Sequence, residues 1–419
     1  MNERRYALTR RRFIMRAAGA AAGGLATGVL EGAARAATAV ALGAQPPGLP
    51  ARQFAWDATL ARDRYGNAIA PRYDRLLFFD VKGTPTTAHA RQLENALRTL
   101  ERTYPWGPSG LLFTVGWGHG YFTRLLGTSS PVPPAMALSD FELPTIDDYD
   151  LCLHLACDEA LRLAAVEAAL VGGAPLSGAS GPLHLASALV WRETRTGFVG
   201  SGLPAANQQV GGIPSDRPVP AGAPLYMGFK SGLTRNQASE DAIAIGAGPF
   251  AEGTTQQVSY MRLRLDSWYG ELSDRERVAR MYAPQVTPQQ AARFTVDAAS
   301  DPSLYGQAVR RYGVVGHAQT SARARRAGKP LILRRDFDTA DGGQAGLHFV
   351  SLQRTIDDFI ATRSAMNASD AQFHNPAITD TVNNGINEFI FVLKRANYII
   401  PSRAERSFPA LPGLAAALR

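Results

Sequence analysis

Cysteine is almost missing from this chain, with only Cys152 and Cys157 in 419 residues. Both fall in one apolar-alternating stretch that reads as a single strand. At ~3.3 Å per residue they stand about 16 Å apart, beyond the ~7 Å over which two Cα atoms can be bridged. A disulfide scaffold, a dithiol redox centre and a thiolate metal site are therefore excluded. Charge of one sign is also scarce once it is located. The formal net charge is +8, but residues 1–36 hold seven arginines against Glu3 and Glu31, so about +3 remains for the rest. That balance gives no case for nucleic-acid binding or an anionic membrane surface. No apolar run of the ~20 residues a bilayer span needs follows residue 36, and no short-period repeat is visible.

What the first 36 residues do contain is an address. Thr9-Arg10-Arg11-Arg12-Phe13-Ile14 precedes a weakly apolar, Ala/Gly-rich stretch, and Ala34-Arg35-Ala36 offers small residues for cleavage. This layout resembles a twin-arginine export signal. It predicts transit through the twin-arginine translocase as a folded protein and a periplasmic or extracellular destination. Residues 37–70, rich in Ala, Pro and Gly, read as a linker.

From residue 71 strands and helices interleave. Leu93, Leu97 and Leu100 recur at helical spacing, while Leu151, Leu153 and Leu155 alternate as a half-buried strand does. The periodicity predicts strands near 76–81, 110–115 and 150–156 and helices near 88–103 and 158–170. The glycine- and proline-rich residues 172–224 read as a crossing loop. The order then repeats, with strands near 257–265 and 347–352 and helices near 273–282 and 354–365. The predicted class is α+β: two similar halves, 71–227 and 228–402, whose antiparallel sheets face each other, followed by a tail at 403–419.

Three later segments carry candidate chemistry. His317, in Gly313-Val314-Val315-Gly316-His317, is the histidine best placed to ligate a metal through a neutral ring nitrogen. Arg335 follows the apolar run Leu331-Ile332-Leu333, so it should emerge at the end of a buried strand, as a charge-stabilising group or in a salt bridge with Asp336 or Asp338. Gly228-Phe229-Lys230-Ser231-Gly232 forms a short glycine-bounded loop.

In order along the chain, Leu112–Gly118, Asp150–Asp158, Gly228–Gly232, Gly316-His317, Leu333-Arg334-Arg335 and Gly346–Gln353 resemble the dye-decolourising (DyP-type) haem peroxidases over residues 72–402. The resemblance implies duplicated ferredoxin-like halves of the dimeric α+β barrel type, with haem b held by the second half. His317 would be the axial iron ligand and Arg335 the arginine on the opposite side. Leu347 and Phe349 would form an apolar wall, and Gly228, Phe229, Lys230, Ser231 and Gly232 would run along the pocket. It also implies reduction of hydrogen peroxide with oxidation of an organic donor. Family members often form dimers or rings, although no heptad or apolar stripe here argues for a homo-oligomer.

One position departs from the family pattern. The loop aspartate that relays a proton between the peroxide oxygens is Ser231 here, and a hydroxyl is a poor base near neutral pH. The activity is therefore expected to be weak. A water held by Ser231, Arg335 alone, or a carboxylate such as Asp336, Glu240 or Asp241 would compensate. The alternative function is non-catalytic haem binding or handling, and a further one is a scaffold that has lost haem. Asp357 or Asp358 is a candidate partner for the second nitrogen of His317. Arg323, Arg325 and Arg326 are candidates for the haem propionates. Trp191 and Trp268 are candidate radical carriers, although large aromatics more often belong to a core. His348 should point away from the Leu347/Phe349 wall by the two-residue period of a strand.

Overall fold

The computed structural model describes residues 42–295, 298–414 and 418. The export-signal reading of residues 1–36 lies outside these. The strands are β1 (Tyr73–Val81), β2 (Leu112–Gly118), β3 (Thr145–Ile146), β4 (Leu151–Cys157), β5 (Leu189–Phe198), β6 (Thr254–Leu263), β7 (Arg325–Arg326), β8 (Lys329–Pro330), β9 (Ile332–Arg334), β10 (Phe337–Thr339), β11 (Gly346–Gln353) and β12 (Ile390–Ile400). The main sheet runs β10-β5-β1-β4-β2-β12-β6-β11-β9, and β10 also pairs with β11, so the strands close on themselves. All these pairs are antiparallel, and only the short β3 lies parallel, beside β12.

The duplication is visible in the strand order. The first half reads β5-β1-β4-β2 and the second β12-β6-β11-β9, which is the fourth-first-third-second order of a ferredoxin-like unit in both cases. One element of this plan in each half, the fourth strand, escaped the sequence reading. β5 lies inside the stretch read as a crossing loop, because Arg192, Glu193, Thr194, Arg195 and Thr196 give it a polar face. β12 was not read at all, because Phe391 and Leu393 remain part-exposed, Phe391 beneath Arg262, and blur the alternation.

Between the sheets lie Leu76, Phe78, Cys152, Val258, Phe337, Val350 and Tyr398, all buried. In the first half, the helix Thr87–Thr103 and the helix Ala160–Gly172 cover the outer face through Leu93, Leu97, Leu100, Leu163 and Val166. In the second half the outer face of β6, β11 and β12 looks toward the helices Leu265–Gly270, His317–Ser321 and Ile356–Asn367, and the gap is only partly filled.

The segments expected as linker and tail are packed. Phe54 and Trp56 are buried, and Gln53 exchanges hydrogen bonds with the backbone of Val115 (N–H to Oε1, 2.9 Å) and donates to the carbonyl of Pro401. At the other end Arg403 and Arg406 pair with Glu101 beneath the Thr87–Thr103 helix, and Arg406 also pairs with Glu94. Cys152 and Cys157 are both free and buried. Among the described residues no helix is long and apolar enough to cross a membrane.

Candidate functional site

The unfilled gap is a cavity between the sheet and the helices of the second half, open to solvent at its mouth. Its sheet wall carries Ser259, Met261 and Leu263 from β6, Leu347 and Phe349 from β11, and Arg334 at the end of β9. Its helical wall carries His317, Ala318, Phe359 and Met366. The lining is mainly apolar with a few convergent charged groups, so the cavity favours a mostly apolar ligand with an acidic or metal-bearing part.

His317 is the first residue of the helix His317–Ser321, capped by Gly316. That cap has to be glycine, because a Cβ at 316 would collide with the carbonyl of Tyr282. The imidazole lines the cavity, while its Nδ1 is buried without a hydrogen-bond partner. Burial, with the charges of Arg334 and Arg363 added, pushes its pKa down to about 3. The ring is therefore neutral at any physiological pH, the form that ligates a metal. The expected carboxylate partner is not there. Asp358 pairs with Arg326 at 2.6 Å, and Asp357 is exposed.

The arginine expected at the site needs correction. Arg335 does not line the cavity. Its N–H bonds to the carbonyl of Val350, and its side chain passes to the opposite face of the strand end. There its guanidinium lies 3.8 Å from the Trp56 ring centre and donates to the carbonyl of Phe54 (2.6 Å) and to Glu240 (3.2 Å). Burial lowers its pKa to about 10, with Glu240 opposing the fall, so it stays charged. The guanidinium on the cavity side is its neighbour Arg334, which donates to the carbonyl of Ser231 (2.9 Å) and to Gln237 Oε1 (3.3 Å). Alternation along the strand could have given this, since Leu333 and Arg335 share one face and Ile332, Arg334 and Asp336 share the other.

The glycine-bounded loop reaches the cavity through Phe229, Lys230 and Ser231, whereas Gly228 and Gly232 are not among its lining residues. Gly228 has φ +89°, a left-handed conformation that explains the residue type. Lys230 is tied at 3.1 Å to Asp63, whose carboxyl stays at about 2: burial would raise it, but hydrogen bonds from Asn67 and Lys230 lower it. Ser231 donates to Asp336 Oδ2 at 2.5 Å. Of the three carboxylates considered from sequence, Asp336 lines the cavity, Glu240 is held by Arg335 and by the N–H groups of Trp56 and Asp57, and Asp241 is a surface partner of Arg52.

Leu347 and Phe349 do line the cavity, and His348 points the other way, buried and 3.3 Å from Asp341. Of the basic run, Arg325 lines the cavity, while Arg323 pairs with Asp370 and Arg326 with Asp358. Sequence reading missed a second basic group at the wall, Arg363 and Arg395, which share the buried Glu142. Nothing local marked them, because they come from different elements and meet only in the fold. Trp268 is buried, with its Nε1 donating to the carbonyl of Met227, and Trp191 is on the exterior. Among the described residues no cluster of three or more His, Cys, Asp or Glu could hold a bare metal ion.

The fold has solved counterparts. A DyP-type peroxidase from Cellulomonas bogoriensis superposes with a TM-score of 0.52 at 20% identity, over 82% of this chain and 93% of that one. An encapsulated DyP-type peroxidase from Mycobacterium smegmatis gives 0.53 at 15%, over 84% and 100%. A DypB variant from Rhodococcus jostii RHA1, solved in complex with heme, gives 0.52 at 14%, over 81% and 96%. At such identities the likeness is one of fold. No curated protein matches the sequence. Residues 71–402 match the family described as a family of unknown function, DUF7405, and since that span is most of the chain, the protein belongs to this family.

Proposed function

We propose that this chain is an exported haem b protein of the DyP-type peroxidase superfamily, which reduces hydrogen peroxide at the expense of an organic donor. The observation that carries the reading is the cavity itself. A neutral imidazole with a partnerless Nδ1 stands on its helical wall, and a guanidinium with two apolar side chains stands on its sheet wall. The fold shared with DyP-type peroxidases, one of them solved with heme, supports it. The twin-arginine layout of residues 1–36 supports export of the folded chain to the periplasm or beyond.

Haem would supply the iron centre at which peroxide is reduced. The residues present fit it. His317 is available as the axial ligand, and neither cysteine lines the cavity to attach a porphyrin covalently, which favours haem b. Arg325, Arg363 and Arg395 bring positive charge to the wall, where two propionate groups would find partners. Leu347 and Phe349 exclude water from the sheet side. Arg334 keeps a fixed positive charge there to stabilise negative charge developing on a departing oxygen.

The test is an absorption spectrum of protein purified from cells supplied with haem, followed by peroxide-driven oxidation of a dye. The reading expects a Soret band at one haem per chain and dye turnover above that of free haem. A chain that folds but takes up no haem contradicts it. The hydroxyl at Ser231 favours a second reading, non-catalytic haem handling, which expects the same band with no dye turnover at high peroxide.

A further inference from the structure

The cavity holds a carboxylate in an unusual state. Asp336 sits two residues beyond Arg334 on the same side of the strand end and lines the cavity. Its Oδ2 accepts the Ser231 hydroxyl at 2.5 Å, while its Oδ1 is buried with no partner. A buried acceptor left unsatisfied costs roughly 1 to 3 kcal/mol, so each such atom calls for a strain, water, ligand or catalytic explanation.

Asp338 shares the partnerless Oδ1 but not the setting beside Arg334 and the Ser231 loop. Asp338 also lines the cavity, but its Oδ2 is occupied by the N–H of Tyr226 at 2.6 Å. Burial, the N–H bond notwithstanding and with Asp336 adding to it, pushes its carboxyl well above the usual range, and the Tyr226 N–H ties it to the backbone. For Asp336 burial likewise raises the pKa, and the charge of Arg334 and the Ser231 hydroxyl pull it back. Arg334 is in turn fixed by the carbonyls of Ser231 and Asn236 and by Gln237. Loop and strand end therefore lock each other, with one carboxylate oxygen left without a partner at the cavity wall.

We propose that Asp336 is the proton-transferring residue of this site, supplied from the strand in place of a loop carboxylate, and that Ser231 is a positioning residue that holds its Oδ2. The inference rests on the haem reading above. Its substrate class is a small protic ligand, hydrogen peroxide in turnover or hydrogen cyanide as a probe. Asp336 Oδ1 takes the proton from one peroxide oxygen and passes it to the other, which leaves as water carrying both protons. Haem, when bound, would supply the two electrons that cleavage of the O–O bond consumes, and Asp336 ends as the carboxylate it began as.

The experiment follows cyanide binding to the haem-loaded protein by stopped-flow absorbance near neutral pH, where the ligand must lose a proton to bind. Asp336→Asn should slow association about 10²-fold, the low end of general acid–base assistance, with haem content and the resting Soret position retained. Ser231→Ala should slow it less, by about 10-fold, and Asp336→Glu should recover part of the rate. Ser231→Asp should bring no acceleration, since it sets a second carboxylate against the first. If haem-loaded Asp336→Asn binds cyanide at the wild-type rate, the proposal is overturned while the haem reading stands. If Ser231→Asp accelerates binding 10-fold or more, the proton-transferring group was missing and the proposal is equally overturned. A wild-type chain that folds without taking up haem overturns both.

Discussion

Two adjacent guanidiniums, Arg334 and Arg335, lie on opposite faces of one strand end and so answer to different measurements. Arg335 is 10% exposed and its partner Glu240 15% exposed. Removing one member of such a pair leaves the other buried and unpaired, typically at ~3 to 5 kcal/mol. Arg335→Ala should lower urea-unfolding stability by about 3 kcal/mol and leave haem uptake near normal. Arg334→Ala should leave the Soret band in place and cut peroxide turnover by about 10²-fold, the scale of losing one electrostatic stabiliser. That His317, Leu347 and Phe349 meet at one cavity was legible through the resemblance of their short stretches to the DyP-type peroxidases. Arg334 was hidden by the choice of its neighbour Arg335, and Asp336 stood only as one of three candidate carboxylates; two-residue alternation applied to Leu333 would have resolved both. The partnerless Nδ1 of His317 was not legible, since it depends on Asp358 turning instead to Arg326.

At the scale of elements, the position of His317 depends on how closely the chain before it approaches Tyr282. Gly316 touches the Tyr282 carbonyl region, and the N–H of Gln319 bonds to that same carbonyl at 3.2 Å. Gly316→Ala should displace the helix His317–Ser321 and weaken haem retention at least 10-fold in competition with an apo-haem acceptor, while far-ultraviolet circular dichroism stays native. Retention equal to wild type would show that the helix is not held from this side. Helices were legible here through leucine spacing, and strands through alternation where one face is buried and the other polar. β5 escaped because its charged residues are satisfied only in the fold, Arg195 by Asp147 and by Glu193 of the same strand (2.5 and 2.8 Å), and its sequence resembles a loop. The packing of residues 50–70 was illegible because Phe54 and Trp56 are buried by contacts made with distant parts of the chain, including Arg335.

For the whole molecule, the two halves are tied by groups that no single motif contains. Glu193 in β5 meets Arg195 beside it and Lys394 in β12 at 2.9 Å. Burial would raise its carboxyl, but the Arg195 and Lys394 contacts prevail and hold it at about 2, below the usual 4.5. A carboxyl depressed on folding contributes stability that is complete above the unfolded pKa and is lost as pH falls through the folded one. The tie between the halves should therefore weaken between about pH 4.5 and pH 2. Glu193→Gln should remove that part of the acid slope in unfolding free energy measured against pH, and an unchanged slope would show that the tie contributes nothing. The α+β class and the doubled layout were legible from element order. The closure of the sheet through β10 and through β2–β12 was not, because it rests on pairings between residues more than a hundred positions apart.

The account stands on one bond, from the His317 imidazole to the iron of a bound haem. The most direct measurement is the absorption spectrum of His317→Gly protein purified with haem, with and without added imidazole. The account predicts that the Soret band is lost or shifted to that of weakly held haem and is restored when imidazole enters the vacated space. A variant whose band matches wild type without imidazole would contradict it.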